Sequence, residues 1–173
     1  GTTWTAENCR YPVRKTQENG DDRTKPANII ITCTDNTRSR LELWRFLKKY
    51  RETSVNNERA VYYWMDFGNA QTTGQVFIGT VRNKIRQPAS KEFMPVPGMN
   101  VITEEVNYST IEEKDSEPSC SLAEALERQD LYINSILAQV GCDILWRMFK
   151  EGRTLYRGAY INLDTLRVNP IPV

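Results

Sequence analysis

The fold class is decided by one stretch, Ala27-Asn28-Ile29-Ile30-Ile31-Thr32-Cys33-Thr34. Its β-branched run predicts a buried strand of a parallel sheet. We expect the strand to end at Asp35-Asn36, because the apolar period changes from Thr37 onwards. An amphipathic helix is predicted to follow. Its apolar side holds Leu41, Trp44 and Leu47, and its polar side holds Arg45, Lys48, Lys49 and Arg51.

Two further strands are predicted downstream of this helix. The first is the apolar run Ala60–Asp66, after which Gly68 is expected to permit a turn. The next strand is predicted at Gly74–Gly79. Strand, helix and strand in this order form a βαβ unit, whose crossover we expect to be right-handed. The sequence therefore predicts an α/β fold with residues 27–81 as its core.

A long irregular crossing segment and a helical region come next. Residues 82–118 contain several prolines, and loops of that length inside a compact domain are usually functional or mobile. Residues 119–152 are predicted to be helical, as two helices or one bent helix. Ser121–Glu124 fits a capping box at its start. Gly141 is expected to be a weak point and Gly152 a C-terminal stop.

The two ends of the chain have different characters. Within residues 153–173, two short apolar runs flank Asp164, which predicts an antiparallel hairpin. Near the amino terminus, Thr16–Pro26 has turn formers and charges but no apolar face, which predicts a solvated loop. Because no internal repeat occurs, we expect residues 1–173 to form a single domain.

The composition argues against several function classes. The 173 residues are 39% hydrophobic and 26% charged, which is typical of one soluble globular domain. The formal charge of +1 gives no electrostatic reason to expect a nucleic-acid partner. No apolar run approaches the roughly 20 residues that cross a bilayer. Gly1–Trp4 also lacks the features of a signal peptide, so we expect a cytoplasmic protein with no membrane partner.

The cysteine and histidine content excludes two kinds of site. The four cysteines are widely spaced without a Cys-x-x-Cys pair, so no structural zinc is expected. The chain has no histidine, which removes the general base of a Ser or Cys triad. Scattered thiols in a chain without an export signal are expected to be reduced.

Asp35 and Asn36 lie where a buried strand is predicted to end, the position at which open α/β sheets bind ligands. A carboxylate at Asp35 could hold magnesium against phosphates, with Asn36 as a hydrogen-bonding neighbour. The alternative is an Asx turn or a helix N-cap, which placement alone favours. Arg38 and Arg40 either bind phosphate or are solvated helix residues, and we favour the solvated position for Arg38.

Cys120 lies just before a predicted helix start. Partial positive charge and free N–H groups at that point favour a thiolate, which can attack an acyl adenylate. The acidic run Glu112–Glu117 opposes this effect, and a buried, inert thiol is the alternative. Cys33 and Cys142, on a predicted strand and a predicted helical face, are expected to be core thiols. Cys9 is left undecided.

Several motifs occur in a characteristic order along the chain. They are Thr34-Asp35-Asn36-x-x-x-Arg40 after a strand, Gly68 followed by Gly74-Gln75-Val76, and Pro118-x-Cys120-Ser121-Leu122 after the crossing segment. Followed by a long helix and a hairpin, they resemble the ThiF superfamily of ubiquitin-activating-like adenylating enzymes. Longer runs resemble the ThiF-like member of the bacterial ParB-related, ThiF-related (PRTRC) cassette, over residues 27–173. Those runs are Tyr63–Asn69, Ser119–Leu131 and Arg167–Val173.

The resemblance implies a Rossmann-like ThiF-type sheet and a nucleotidyltransferase activity. The expected reaction is ATP-dependent adenylation of the carboxyl terminus of a small ubiquitin-fold protein. By resemblance, Asp35 helps to hold Mg²⁺ and ATP, and Asn36 and Arg40 belong to the same cofactor site. Cys120 is the catalytic thiol that takes the activated carboxyl terminus as a thioester. A homodimer is also implied.

Two departures from the family limit this expectation. The zinc-binding Cys-x-x-Cys pairs of many members are absent, so no zinc is expected. The Gly-x-Gly-x-x-Gly loop that cradles ATP phosphates is also absent, since the nine glycines are scattered. We therefore expect a carboxyl-terminal portion of an adenylating domain that is inactive alone. A non-catalytic interaction module and adenylation without a covalent step, with Cys120 structural, stay open as alternatives.

Overall fold

The computed structural model describes residues 27–51 except 35, residues 61–108 except 84, 86, 88, 95 and 97, and residues 130–173. In this part of the chain, five strands form one mixed sheet in the order β1-β2-β3-β4-β5. The strands are β1 Ile29–Thr32, β2 Tyr63–Asn69, β3 Thr73–Thr80, β4 Tyr156–Asn162 and β5 Arg167–Pro172. The helices are α1 Thr37–Leu47, α2 Ile102–Glu105 and α3 Ile133–Glu151, and a 3-10 turn, Lys48–Tyr50, follows α1.

The βαβ order expected from the sequence is present. β1 and β2 pair in parallel, with Thr32 opposite Asp66, and α1 lies between them in the chain. Parallel neighbours need a crossover connection, which α1 supplies. The remaining pairs, β2 with β3, β3 with β4 and β4 with β5, are antiparallel. The α/β class is therefore confirmed, and the antiparallel hairpin predicted around Asp164 is β4 and β5.

The turn predicted at Gly68 is wrong. β2 begins three residues later than the predicted strand and continues through Gly68, which pairs with Gln75, to Asn69. The connection to β3 falls at residues 70–72 instead. A Cβ at Gly68 would lie 2.5 Å from Gln75 Nε2 and 2.9 Å from Arg40 Nη2. The glycine thus gives space to a neighbouring side chain.

Helices cover both faces of the sheet. α3 packs on β2, β3 and β4, and α1 and α2 lie on the opposite face. The core on the α3 side consists of Met65, Val76, Ile78, Ile133, Leu137, Ile144, Ala159 and Ile161. The core on the α1 side consists of Leu43, Trp44, Leu47, Val61, Trp64, Phe77, Val81, Val101, Ile102 and Tyr108.

Gly141 was predicted to be a weak point in the helical region, and this is wrong. α3 runs unbroken through it. A Cβ at Gly141 would lie 2.6 Å from Phe67 Cε1 and closer still to Cζ, so the glycine lets α3 approach β2. Gly152 does end the helix as predicted, with a left-handed φ of 69°.

Cys33 and Cys142 are exposed, so the prediction that both are core thiols is wrong. Cys33 directly follows β1, which lies at an edge of the described sheet. Cys142 lies on the solvent side of α3. Its neighbour Gly141 instead faces the sheet, where it contacts Phe67 of β2. In the described residues, no helix has the length and apolar character needed to cross a membrane.

Part of the predicted crossing and helical regions can be compared with the structure. The described residues of 82–118 contain the short helix α2 and are otherwise irregular. The capping box Ser121–Glu124, the solvated loop Thr16–Pro26 and Cys9 lie outside the described residues.

Replacing Gly141 with valine should destabilise the protein. The new side chain would overlap the Phe67 ring, and overpacking of a filled site costs about 1–3 kcal/mol. Cys142→Val is the matched control, since it places the same side chain on the exposed side of α3 and should change stability by less than about 0.5 kcal/mol. Urea unfolding measures both. Equal midpoints would contradict the close approach of α3 to β2.

Candidate functional site

Asn36 caps the amino terminus of α1. Its backbone is extended, and its Oδ1 accepts a hydrogen bond from the Ser39 backbone N at 2.8 Å. Such a cap satisfies a backbone N–H that has no partner within the helix, and is worth about 1 kcal/mol. The sequence left two roles open here, a ligand-binding site and an Asx turn or helix N-cap. The structure shows the N-cap, at Asn36. Asp35, the predicted magnesium ligand, lies outside the described residues.

Arg40 is held in a buried ion pair. Its Nε donates to Asp66 Oδ2 at 2.8 Å, and its Nη2 donates to the carbonyl oxygens of Thr34 at 2.7 Å and Phe67 at 2.9 Å. Arg40 is 6% exposed and Asp66 is 1% exposed. Arg40 is therefore not a solvated helix residue. Arg38 is, as favoured from the sequence, since it is exposed and pairs with Glu42.

Asp66 accepts hydrogen bonds from two elements, α1 through Arg40 and β1 through Thr32. Its Oδ1 accepts from the Thr32 hydroxyl at 2.6 Å, and that hydroxyl oxygen accepts from Trp64 Nε1 at 2.8 Å. The parallel register places Thr32 opposite Asp66, so both side chains project from the same face of the sheet. Sequence reasoning missed Asp66 as a site residue. Its one local signal was a carboxylate at the end of an apolar run.

The environment of this pair shifts two pKa values. Burial raises the pKa of the Asp66 carboxyl, while the charge of Arg40 and the hydrogen bonds from Thr32 and Arg40 oppose that rise. Burial likewise raises the pKa of the Tyr108 phenol, and Arg40 again opposes it. The Tyr108 ring lies 5.9 Å from Arg40 Cζ. Asp66 and Tyr108 thus both interact electrostatically with the Arg40 guanidinium.

Thr34 and Tyr108, which both contact Arg40, carry buried hydroxyls without hydrogen-bond partners among the described residues. A buried polar atom left in this way costs about 1–3 kcal/mol. Thr34 follows β1 directly, and its carbonyl already accepts from Arg40. Of the two hydroxyls, that of Thr34 belongs to a residue that directly follows the carboxyl end of β1.

The segment that contains Cys120 is bordered by residues at this same end of the sheet. Tyr108 lies against Arg40, and the Asp130 backbone N donates to Gln71 O at 2.8 Å, in the connection after β2. Cys120 lies outside the described residues, about midway between Tyr108 and Asp130 in the sequence. A tether of this length reaches at most about 40 Å from either residue.

Within the described ranges, no group of three or more acidic, Cys or His side chains is arranged to hold a metal ion. Asp35 lies outside these ranges, so its role as a magnesium ligand stays a prediction.

Comparison with known proteins adds no relative. No protein-family model matches this chain, and no curated protein matches it. The fold itself defines a mixed α/β protein with a five-stranded sheet. The ThiF superfamily is therefore a resemblance carried by motifs.

Replacing Arg40 with methionine should strongly destabilise the fold. The change leaves the Asp66 carboxylate buried without its cation, and breaking a buried pair in this way costs about 3–5 kcal/mol. Arg38→Met is the matched control on the exposed side of α1, with an expected change below about 1 kcal/mol. Chemical denaturation measures both variants.

A second substitution shows how much of the stability lost in Arg40→Met comes from the broken ion pair with Asp66. Adding Asp66→Leu removes the stranded carboxylate, and we expect it to recover part of the lost stability. An Arg40→Met variant as stable as Arg38→Met would show that the pair does not hold this end of the sheet together.

Proposed function

We propose that this chain is the carboxyl-terminal part of a ThiF-like adenylating enzyme that activates a small ubiquitin-like protein. One observation supports the proposal, which is that Asn36 and Arg40 of the first motif lie at the same end of the sheet as the described residues nearest to Cys120 in the chain. Asn36 and Arg40 lie at the carboxyl ends of β1 and β2. Tyr108 and Asp130, which border the segment of Cys120, lie at the same end.

The proposed reaction has two steps. A carboxylate oxygen of the ubiquitin-like tail attacks the α-phosphorus of ATP, and pyrophosphate leaves. The Cys120 thiolate then attacks the activated carbonyl carbon, and AMP leaves as the thioester forms. Asp35 is proposed to hold Mg²⁺, which neutralises phosphate charge. The partners are the ubiquitin-like protein and, by resemblance, a second copy of the enzyme.

Of the described residues near the proposed site of ATP, Thr34 fits a phosphate contact and Arg40 does not. The buried Thr34 hydroxyl, which lacks a partner among them, could donate to a phosphate oxygen. Arg40 fits less well, because its Nε and Nη2 atoms are already bonded within the protein. We therefore propose that Arg40 holds α1 against the end of β1. In this proposal its Nε and Nη2 atoms make no contact with phosphate.

β1 lies at an edge of the described sheet, and this supports the proposal that a further segment of the enzyme pairs with it. β1 carries the apolar run Ile29–Ile31, yet it ends the described sheet, and Ile31 is 53% exposed. Parallel strands are normally buried on both faces. In the proposed enzyme, the nucleotide-binding segment with the glycine loop, which these 173 residues lack, would pair along β1.

A non-catalytic interaction module is the second candidate. It is favoured by the observation that Asn36 Oδ1 and the bonded atoms of Arg40 serve the fold itself. The motif Asp-Asn-x-x-x-Arg could then be retained for structure alone. Such a module would bind a partner of the cassette or the ubiquitin-like tail without consuming ATP.

Cys120→Ala should abolish a covalent conjugate. We expect the complete protein, mixed with ATP, Mg²⁺ and its ubiquitin-like partner, to form a conjugate that excess thiol cleaves. Cys142→Ala is the matched control, because it removes an exposed thiol on α3. Non-reducing gels and intact mass measure the conjugate. A conjugate that persists in Cys120→Ala would overturn the thioester role, and pyrophosphate exchange without any conjugate would favour adenylation alone.

Asp35→Ala should abolish ATP–pyrophosphate exchange by the complete protein. Loss of the proposed magnesium ligand removes the neutralisation of phosphate charge, and we expect a fall of at least about 100-fold. Arg38→Ala, three positions on and exposed, should retain exchange. If the wild type has no exchange activity with its partner present, the interaction module is the better account.

A further inference from the structure

The described lysines all lie at one end of the molecule. α1 and α3 both end at the amino ends of β1 and β2, with Lys48 directly after α1 and Lys150 in the last turn of α3. The segment after β3 leaves the sheet at the same end and carries a further lysine. We call this part of the surface the basic end, and define it by Lys48, Lys49, Lys91 and Lys150.

The charges of these lysines are not neutralised by ion pairs within the described part of the chain. Cations are favoured at the carboxyl ends of helices, which accounts for part of the pattern, but Lys91 lies on neither helix. Each helix end supplies only about half a negative charge, so most of the charge of the four lysines remains. The nearby glutamates pair with arginines instead, Glu92 with Arg153, Glu104 with Arg51 and Glu105 with Arg157.

Large apolar side chains are exposed beside these lysines. Met94 is 89% exposed, Phe149 is 71% exposed and Leu155 is 61% exposed. Arg153 links the segments that carry them, because its Cζ lies 4.0 Å from the centre of the Phe93 ring. Exposed apolar side chains that are rimmed by charged ones indicate an interaction surface.

We propose that the basic end binds the surface of a membrane that contains anionic lipids. The lysine ammonium groups lie against the lipid phosphates in this arrangement. Met94, Phe149 and Leu155 enter the boundary between the headgroups and the acyl chains. Such binding is peripheral and requires no membrane-spanning segment.

The combination of lysine with aliphatic side chains selects a membrane rather than a nucleic acid. A duplex backbone is bound by cations alone, and the bases of a single strand stack on aromatic rings. Met94 and Leu155 are neither, and they gain free energy by burial among acyl chains. Lysine carries a point charge on a flexible stem, which suits the phosphates of a fluid bilayer because these have no fixed arrangement.

The basic end lies far from the proposed adenylating site. Asn36 caps the start of α1 at the carboxyl end of β1, which is the opposite end of the sheet. Asp130 and Asp164 contact the connection after β2 at that same opposite end. The two ends therefore differ in charge, although the formal charge of the whole chain is only +1. The inference does not depend on the adenylating reaction.

Co-sedimentation of the complete protein with vesicles tests the role of the lysines. At about 0.1 M salt, where the Debye length is about 10 Å, we expect binding to vesicles of equal parts phosphatidylcholine and phosphatidylglycerol, and none to pure phosphatidylcholine. Each lysine near an anionic surface strengthens binding about fivefold. Lys48→Gln with Lys49→Gln keeps most of each stem, removes both charges and should weaken binding more than about tenfold.

Arg38→Gln with Arg167→Gln is the matched control for charge. It removes the same charge at the opposite end of the sheet, since Arg38 precedes Lys48 by ten residues, or about 15 Å along α1. Screening over that distance should limit the change in affinity to about twofold.

Met94→Ser tests the apolar contact. The side chain is almost fully exposed, so the fold should be unaffected, and circular dichroism checks this. We expect binding to weaken at least about fivefold at both low and high salt, because lost apolar burial is not screened. Leu131→Ser, which changes a side chain 65% exposed beside Asp130, is the control and should bind like the wild type.

The proposal fails if the wild type does not sediment with the anionic vesicles, or if the arginine control weakens binding as much as the lysine pair. Binding that Met94→Ser leaves unchanged would show that no apolar side chain enters the membrane, which also overturns it. A short DNA duplex that then displaces the protein from the vesicles would assign the basic end to a nucleic acid instead.

Discussion

The ion pair between Arg40 and Asp66 is the constraint on which this end of the molecule depends. The Arg40 guanidinium joins α1 to β2, because it donates to the Asp66 carboxylate and the Phe67 carbonyl. It also joins α1 to the end of β1, because it donates to the Thr34 carbonyl. Removing two charges from water is costly unless the geometry and the added hydrogen bonds compensate. The hydroxyl of Thr32 supplies one such bond to the carboxylate. The position of α1 over the sheet is therefore set by polar contacts as well as by its apolar stripe.

This constraint explains why the residues around it are so specific. A Cβ at Gly68 would lie 2.9 Å from Arg40 Nη2, and Trp64 Nε1 donates to the same hydroxyl that donates to Asp66. A polar network in a buried site is stabilising when its members are satisfied, and it then holds a single arrangement. The network leaves the start of α1, with its Asn36 cap, fixed relative to β2. A ligand bound where β1 ends would therefore lie beside a helix that Arg40 joins to β2.

Much of the fold was predictable from local pattern, and the site was not. β1, α1 and the β4–β5 hairpin follow from apolar periodicity and turn signals, which act within a few residues. Nothing in the sequence indicated Asp66 as a site residue. Its pairing with Thr32 depends on the parallel register of β1 and β2, which no local sequence pattern encodes. Arg40 carried a usable signal, since it precedes Trp44 by four residues and Leu47 by seven and so shares their buried stripe. Gly68 and Gly141 were misjudged for the same reason as Asp66, because each serves a contact between distant elements.

The two edges of the described sheet differ in a way that bears on the proposed enzyme. β5 carries Pro170 and Pro172, which lack the N–H that a further strand would need, so extension at that edge is disfavoured. β1 carries neither proline nor charge, and its isoleucines suit a strand covered on both sides. Extension of the sheet is therefore favoured at β1. A nucleotide-binding segment added there would lie beside the strand that leads into Asp35 and Asn36, which is where the proposed adenylation requires it.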